Sequence, residues 1–290
     1  MPIEALALVL VAACIHVTWN YWVKRAQVSG ASLVWASSVV TAVLYAPIAL
    51  WFFGAQLLQF GPAQWIAVVA SGVLHTGYFL SLQRGYAAAD LSVVYPVARG
   101  TGPLLASIAA IIWFGETPTP GSLAGLALIV CGTFTIAGGW ALFRRIGTEK
   151  ARRGLAWGAL IGVFIATYTI NDGRAVKLLA IAPLLFDWLS GLLRAIFLVP
   201  LVVRQRASLR RDLATSWRYM IGVGVLAPAG YILVLTAMQI APVSRVAPAR
   251  EVSMLLAAFL GAKMLGEGDL RRRLIGAALI AGGVVSLTVW

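Results

Sequence analysis

Residues 99–138 read RGTGPLLASIAAIIWFGETPTPGSLAGLALIVCGTFTIAG, and residues 250–289 read REVSMLLAAFLGAKMLGEGDLRRRLIGAALIAGGVVSLTV. Aligned at an offset of 151, the two stretches share twelve identities in forty positions. Composition alone supplies Leu and Ala matches. It does not supply Arg99/Arg250, Gly115/Gly266, Glu116/Glu267, Gly125/Gly276 and Gly132/Gly283 in one register. Self-similarity at a fixed spacing marks an internal duplication. Nearby offsets carry it upstream, where Gly77-Tyr78 matches Gly230-Tyr231, Trp35 matches Trp188 and Pro47 matches Pro200. The duplication predicts two units, residues 1–145 and 146–290.

Composition says what kind of unit is duplicated. The chain has 290 residues, 61% hydrophobic and 11% charged, with mean hydropathy +0.89. A soluble domain carries about 25% charged residues. The deficit excludes a soluble globular enzyme, a disordered regulator and a secreted disulfide scaffold. A membrane-spanning helix needs about 20 largely apolar residues. Ten stretches qualify: 3–23, 31–53, 63–88, 91–114, 121–140, 154–175, 183–203, 214–239, 242–265 and 272–290. Trp51, Trp65, Trp113, Trp140, Trp157, Trp217 and Trp290 fall near span ends, where an indole sits at headgroup level. Trp19 and Trp188 lie deeper. Five spans per unit is an odd number, so the second unit enters the membrane in the opposite sense. The expected fold is an all-α polytopic membrane protein of ten transmembrane helices, arranged as two inverted five-helix repeats.

The net charge of +13 comes from 23 Lys and Arg against 10 Asp and Glu. In a soluble protein it would suggest nucleic acid. Here 17 of the 23 basic residues fall in odd-numbered loops and only Arg174 and Lys177 in even ones. By the positive-inside rule the odd loops are cytoplasmic and both termini non-cytoplasmic. No nucleic-acid partner is implied. The expected partners are the lipid bilayer and a small-molecule substrate. Nineteen of the 23 are Arg, as in a GC-rich bacterial genome, which points to a bacterial inner membrane. Cys14 and Cys131 lie in apolar runs, against a disulfide framework or zinc site. Two histidines in different spans make no metal site, and no cofactor is expected. The start, Met1-Pro2-Ile3-Glu4, lacks a basic n-region and opens an apolar run of about 20 residues, read as a permanent span.

Ten spans in a five-plus-five duplication, with Pro103 about a dozen residues before Gly115-Glu116 and then Gly125 and Gly132, resemble the EamA-type branch of the drug/metabolite transporter superfamily. The second copy reads Met254, Gly266-Glu267, Gly276 and Gly283, with Met where the family usually has Pro. The resemblance covers essentially the whole chain. It implies secondary transport rather than catalysis. Family members export amino acids and other metabolites, the YddG-type exporters of aromatic and other amino acids among them. Relatives carry sugar phosphates.

Ionisable groups inside spans are functional candidates, because an Arg at a helix centre costs about 2.5–3.5 kcal/mol. Arg99 and Arg250 lie about eight residues into their spans, roughly 12 Å deep at 1.5 Å per residue. In an inverted repeat both approach the midplane, where a guanidinium can hold a carboxylate through two parallel hydrogen bonds. The alternative is an internal ion pair, since Glu251 adjoins Arg250 and Asp187 can reach another helix. His16 and Asn20 are one turn apart with Trp19 on an adjoining face, and Tyr78 follows His75 by one turn. Tyr95 precedes Arg99 by one turn, Tyr168 and Asn171 share the sixth span, and Tyr231 is the repeat partner of Tyr78. Such a set suits an amphipathic, zwitterionic substrate, although each His and Tyr also serves as a packing residue with a polar handle.

Pro96, Pro103 and Pro248 interrupt the fourth and ninth spans and are candidate hinges, or static kinks. Gly121/Gly125 and Gly158/Gly162 have the small-xxx-small spacing of close helix packing, in a monomer or a homodimer. Glu116 and Glu267 close their spans and read as capping residues. No His-Glu-x-x-His, Gly-x-Ser-x-Gly or carboxylate dyad supports a membrane-embedded lipid-modifying enzyme.

Overall fold

In lipid every backbone N–H and C=O must be satisfied within the chain, and apolar runs of 20 or so residues therefore become helices. The computed structural model describes residues 1–26, 30–136, 148–256 and 270–290, which are helical almost throughout. The helices are α1 (Ile3–Ala26), α2 (Ala31–Leu57), α3 (Pro62–Ala88), α4 (Leu91–Phe114), α5 (Pro120–Ile136), α6 (Glu149–Lys177), α7 (Pro183–Arg204), α8 (Arg206–Ile240), α9 (Val243–Ala249) and α10 (Leu270–Val289). Seven of them, α1 to α4 and α6 to α8, are long and apolar enough to cross a membrane, and α5 and Leu274–Val289 are shorter apolar helices. The chain is an all-α polytopic membrane protein. Trp140, Arg144, Arg145, Lys263, Gly266 and Glu267, and the far ends of the expected fifth and ninth spans, lie outside the described residues.

Helix ends follow local chemistry. Pro62 and Pro183 open α3 and α7, where a missing N–H costs nothing. Thr148 caps α6 by accepting from the Ala151 N–H at 3.2 Å. Gly115 ends α4 with φ of +65°, a left-handed cap that favours glycine. Two boundaries depart from the hydropathy reading. Helix α8 begins at Arg206 rather than 214, because its first turns are polar and escape an apolar window; Ser216, with φ −134°, then kinks it. The expected ninth span breaks at Arg250-Glu251, between α9 and a helical turn at 252–256.

Two of the prolines inside these helices, Pro228 and Pro248, free carbonyls that other helices satisfy. Pro228 has no N–H for the Gly224 carbonyl, which accepts instead from the Thr41 hydroxyl of α2 at 2.8 Å. Pro248 likewise frees the Ser244 carbonyl, taken by the Ser107 hydroxyl of α4 at 3.0 Å.

The main apolar core joins α1, α6, α7 and α8 around Leu185, Phe186, Leu235 and Met238, all fully buried. Small residues bring backbones together elsewhere. A methyl group at Gly158 of α6 would lie 2.7 Å from Val97 Cβ and 2.9 Å from the Val94 carbonyl of α4. Helices α5 and α10 meet as closely, with Gly125 against the Gly283 carbonyl and Gly132 against that of Gly276. The chain ends gather at one end of the bundle. The Met1 amine donates to the Leu287 and Thr288 carbonyls at 3.2 and 2.9 Å. Thr119 and Arg245 both donate to the Trp290 main-chain oxygen at 3.0 Å.

Candidate functional site

A partly open cavity of about 180 Å³ lies between α1, α3, α4, α6, α8 and the turn after α9. Eight of the ten substrate-site candidates line it. Helix α1 brings His16 and Trp19, whose rings meet edge to face at 4.9 Å. Helix α3 brings His75 and Tyr78, and the single contributions of Arg99, Tyr168 and Tyr231 come from α4, α6 and α8. Arg250 enters from the break after α9. Val9, Ala12, Ala13 and Val234 supply apolar wall. Asn20 and Tyr95 lie outside the lining. The Asn20 amide donates to the His16 carbonyl of its own helix at 2.7 Å, and the Tyr95 ring lies 6.0 Å from the Arg99 guanidinium. Pro96 and Pro103 sit within an unbroken α4, whereas Pro248 precedes the break directly.

The two arginines have different partners. Arg99 Nε lies 3.2 Å from Glu251 Oε2, and its Nη2 donates to Ser253 Oγ at 3.2 Å. Glu251 therefore pairs across to α4 and not with its neighbour Arg250, because consecutive residues on a helical turn point to different faces. Arg250 stacks over Tyr231 at 5.4 Å and lines the cavity together with Tyr168. Among the described residues no carboxylate forms an ion pair with it. At the same wall, Asp172 of α6 is wholly buried. Its Oδ2 lies 2.9 Å from His75 Nε2 and accepts from the Tyr231 hydroxyl at 2.6 Å, while Oδ1 accepts from the Asn171 amide at 3.0 Å. The His75 ring stacks on Tyr168 at 4.2 Å and meets Tyr231 edge to face at 5.5 Å.

Asp172 and Ser253 escaped the sequence reading. Asp172 belongs to the polar run Asn171-Asp172-Gly173-Arg174, which looks like the end of a span. The available signal was its position one turn after Tyr168, on the same helix face. Asp187 and Arg194 occupy α7. Arg194 Nε donates to Ser38 Oγ at 3.0 Å, and Asp187 Oδ2 has no hydrogen-bond partner among the described residues. Trp188 binds the Ala42 carbonyl at 2.9 Å as a packing residue between α2 and α7. Glu116 does cap a helix, though not its own. Its carboxylate accepts from the Val243 and Ser244 N–H groups at 2.7 and 2.9 Å, closing the N-terminus of α9, with Lys177 3.4 Å away. No group of three or more His, Cys, Asp or Glu that could hold a metal occurs among the described residues.

A helical membrane protein with a polar, aromatic-lined cavity in its centre has the form of a small-solute carrier. The chain belongs to the EamA-like transporter family, whose pattern matches residues 3–138 and again residues 152–289. It is thus a membrane transporter, not an enzyme. A solved crystal structure with 16% sequence identity is similar over 100% of this chain and 98% of its own, with a TM-score of 0.73. That likeness concerns the fold.

Proposed function

We propose that the chain is a ten-span secondary transporter, built as two inverted five-helix repeats over residues 1–145 and 146–290. It exports small amphipathic metabolites, foremost amino acids as in the YddG-type branch, by alternating access at the central cavity. The repeat reading is supported by helix packing: under the offset of 151, the contact of Gly125 with Gly283 maps onto that of Gly276 with Gly132, as a two-fold axis requires. A bacterial inner membrane with both termini non-cytoplasmic fits the gathering of the two ends away from Arg25, Lys150 and Arg204.

The observation that carries the substrate class is the inequality of the arginines. Glu251 already neutralises Arg99, which leaves Arg250 as the carboxylate receptor. One free guanidinium beside the His75, Tyr168 and Tyr231 rings matches a monoanionic carboxylate with an apolar or aromatic side chain. His16, Trp19 and Tyr78 complete the wall around the side chain. A phosphorylated substrate, the second reading, brings a further negative charge close to the buried Asp172 carboxylate behind His75 and Tyr231. Pro248 places a hinge next to the receptor.

Proteoliposome counterflow decides between the two. Saturable exchange of L-phenylalanine or L-leucine, abolished by Arg250→Ala in a well-folded protein, is expected. Saturable flux of glucose 6-phosphate alone, or full amino-acid exchange by Arg250→Ala, overturns the assignment.

A further inference from the structure

We infer that Ser253 is a second carboxylate-binding residue, whose hydroxyl donates to the carboxylate held on Arg250 and is turned into the cavity by Arg99. The inference rests on the carboxylate-receptor reading above and adds a residue to it. A hydroxyl has one hydrogen to give and two lone pairs that accept. On a helix it commonly gives that hydrogen to a carbonyl four residues back. Thr41, Thr76, Thr101, Ser190 and Thr236 all do so, at 2.7–2.9 Å. Ser253 does not. Its Oγ accepts from Arg99 Nη2 at 3.2 Å, and among the described residues its own hydrogen has no acceptor. The residue is only 4% exposed, and what it lines is the cavity. A buried donor left without an acceptor is unfavourable until a ligand or water supplies one.

The acceptor that fits is the substrate carboxylate. Arg250 and Ser253 are three residues apart on the turn after α9, where the Ser253 N–H bonds to the Arg250 carbonyl at 3.1 Å. That spacing puts the two side chains on one face, and both line the cavity. A carboxylate offers two oxygens and about four lone-pair sites, more than one guanidinium fills. Arg99 is a positioning residue in this scheme. A guanidinium only donates, so it occupies a lone pair of Ser253 Oγ and leaves the hydroxyl hydrogen directed away from itself. Glu251, 3.2 Å from Arg99 Nε, holds that guanidinium in place and offsets its charge, so the substrate is drawn to Arg250 instead. One short turn thus supplies the receptor, the counter-charge for the positioning group and the second donor.

Phenylacetate, a carboxylate carrying one aromatic ring, is the probe, titrated calorimetrically into the full chain in detergent. Wild type should bind it saturably and Arg250→Ala should not. Ser253→Ala should weaken binding about tenfold, the worth of a hydrogen bond to a charged group. Ser253→Thr, which keeps the hydroxyl, should restore most of that loss. With Arg99→Ala and Glu251→Ala together the hydroxyl is released to its own helix. In that background Ser253→Ala should cost no more than about a further twofold. A full tenfold loss in both backgrounds overturns the positioning role of Arg99. Wild-type affinity in Ser253→Ala, with binding lost in Arg250→Ala, overturns the inference and leaves the receptor reading standing. Binding indifferent to Arg250→Ala, or absent from the wild type, overturns the receptor reading and the part of Ser253 with it. In counterflow, Ser253→Ala should raise the half-saturating concentration of L-phenylalanine about tenfold with little change in maximal rate, the mark of lost binding. An unchanged half-saturating concentration, with Arg250→Ala inactive, again overturns the role of Ser253.

Discussion

Helix α4 and the segment 243–256 descend from matched sequence and end as different structures. Around Arg99 the helix runs unbroken from Leu91 to Phe114 although it contains Pro96 and Pro103, and the Thr101 hydroxyl turns back to the Val97 carbonyl at 2.7 Å. Around Arg250 the helix stops at Ala249. The next N–H groups reach only three residues back, Glu251 to Pro248 and Ser253 to Arg250. The same side chain is consequently given two roles. On the continuous helix Arg99 ties the two halves together through Glu251 and Ser253. At the break Arg250 stacks over the Tyr231 ring and faces the cavity. Two arginines at matched sequence positions thus end in different surroundings, one paired across helices and one facing the cavity.

The sharpest way to break this contrast is to remove each arginine in turn. Arg99→Ala leaves Glu251 buried and unpaired and should cost about 3–5 kcal/mol, read as a fall in thermal stability in detergent. Arg99→Ala with Glu251→Ala should recover most of it. Arg250→Ala should abolish exchange with little loss of stability; a collapse equal to that of Arg99→Ala would erase the distinction. Next, Gly158→Leu should wedge α6 from the unbroken face of α4 and destabilise by about 1–3 kcal/mol. A stability equal to wild type would show that this seam does not hold α4 straight. Glu116→Gln should weaken the start of α9 by about 0.3–1 kcal/mol, detected as faster hydrogen exchange at Val243 and Ser244. Smallest of all, Ser107→Ala should cost about 0.6 kcal/mol. In a Pro248→Ala background that cost should vanish, since the Ser244 carbonyl then has its own helical donor.

Much of this architecture was legible as apolar run length. Expected spans 31–53, 91–114 and 183–203 begin at the first residues of α2, α4 and α7. Hydropathy missed the start of α8, because a polar helical stretch and a loop look alike to an apolar average. For the site, depth marked Arg99, Arg250 and His75, since burial of such groups needs a reason, and the repeat match set the two arginines apart from the other buried basic residues. Partner choice was not legible. Glu251 looks like the mate of Arg250 in one dimension and proves to be the mate of Arg99, a relation that exists only once the two halves pack. Asp172 was hidden for a similar reason: three residues before the expected end of a span, it looked solvated until His75 and Tyr231 closed over it.

The hydroxyls that serve Gly224 and Ser244 restrict how this sequence can drift. Thr41 and Ser107 precede in usefulness the prolines they accommodate: a proline arriving first at 228 or 248 strands a carbonyl in the bundle, whereas a hydroxyl arriving first finds its own helix as acceptor. The less costly mutational order is hydroxyl, then proline, and the less costly reversal removes the proline first. Each pair therefore couples two positions far apart along the chain: the hydroxyl is dispensable only while the proline is absent.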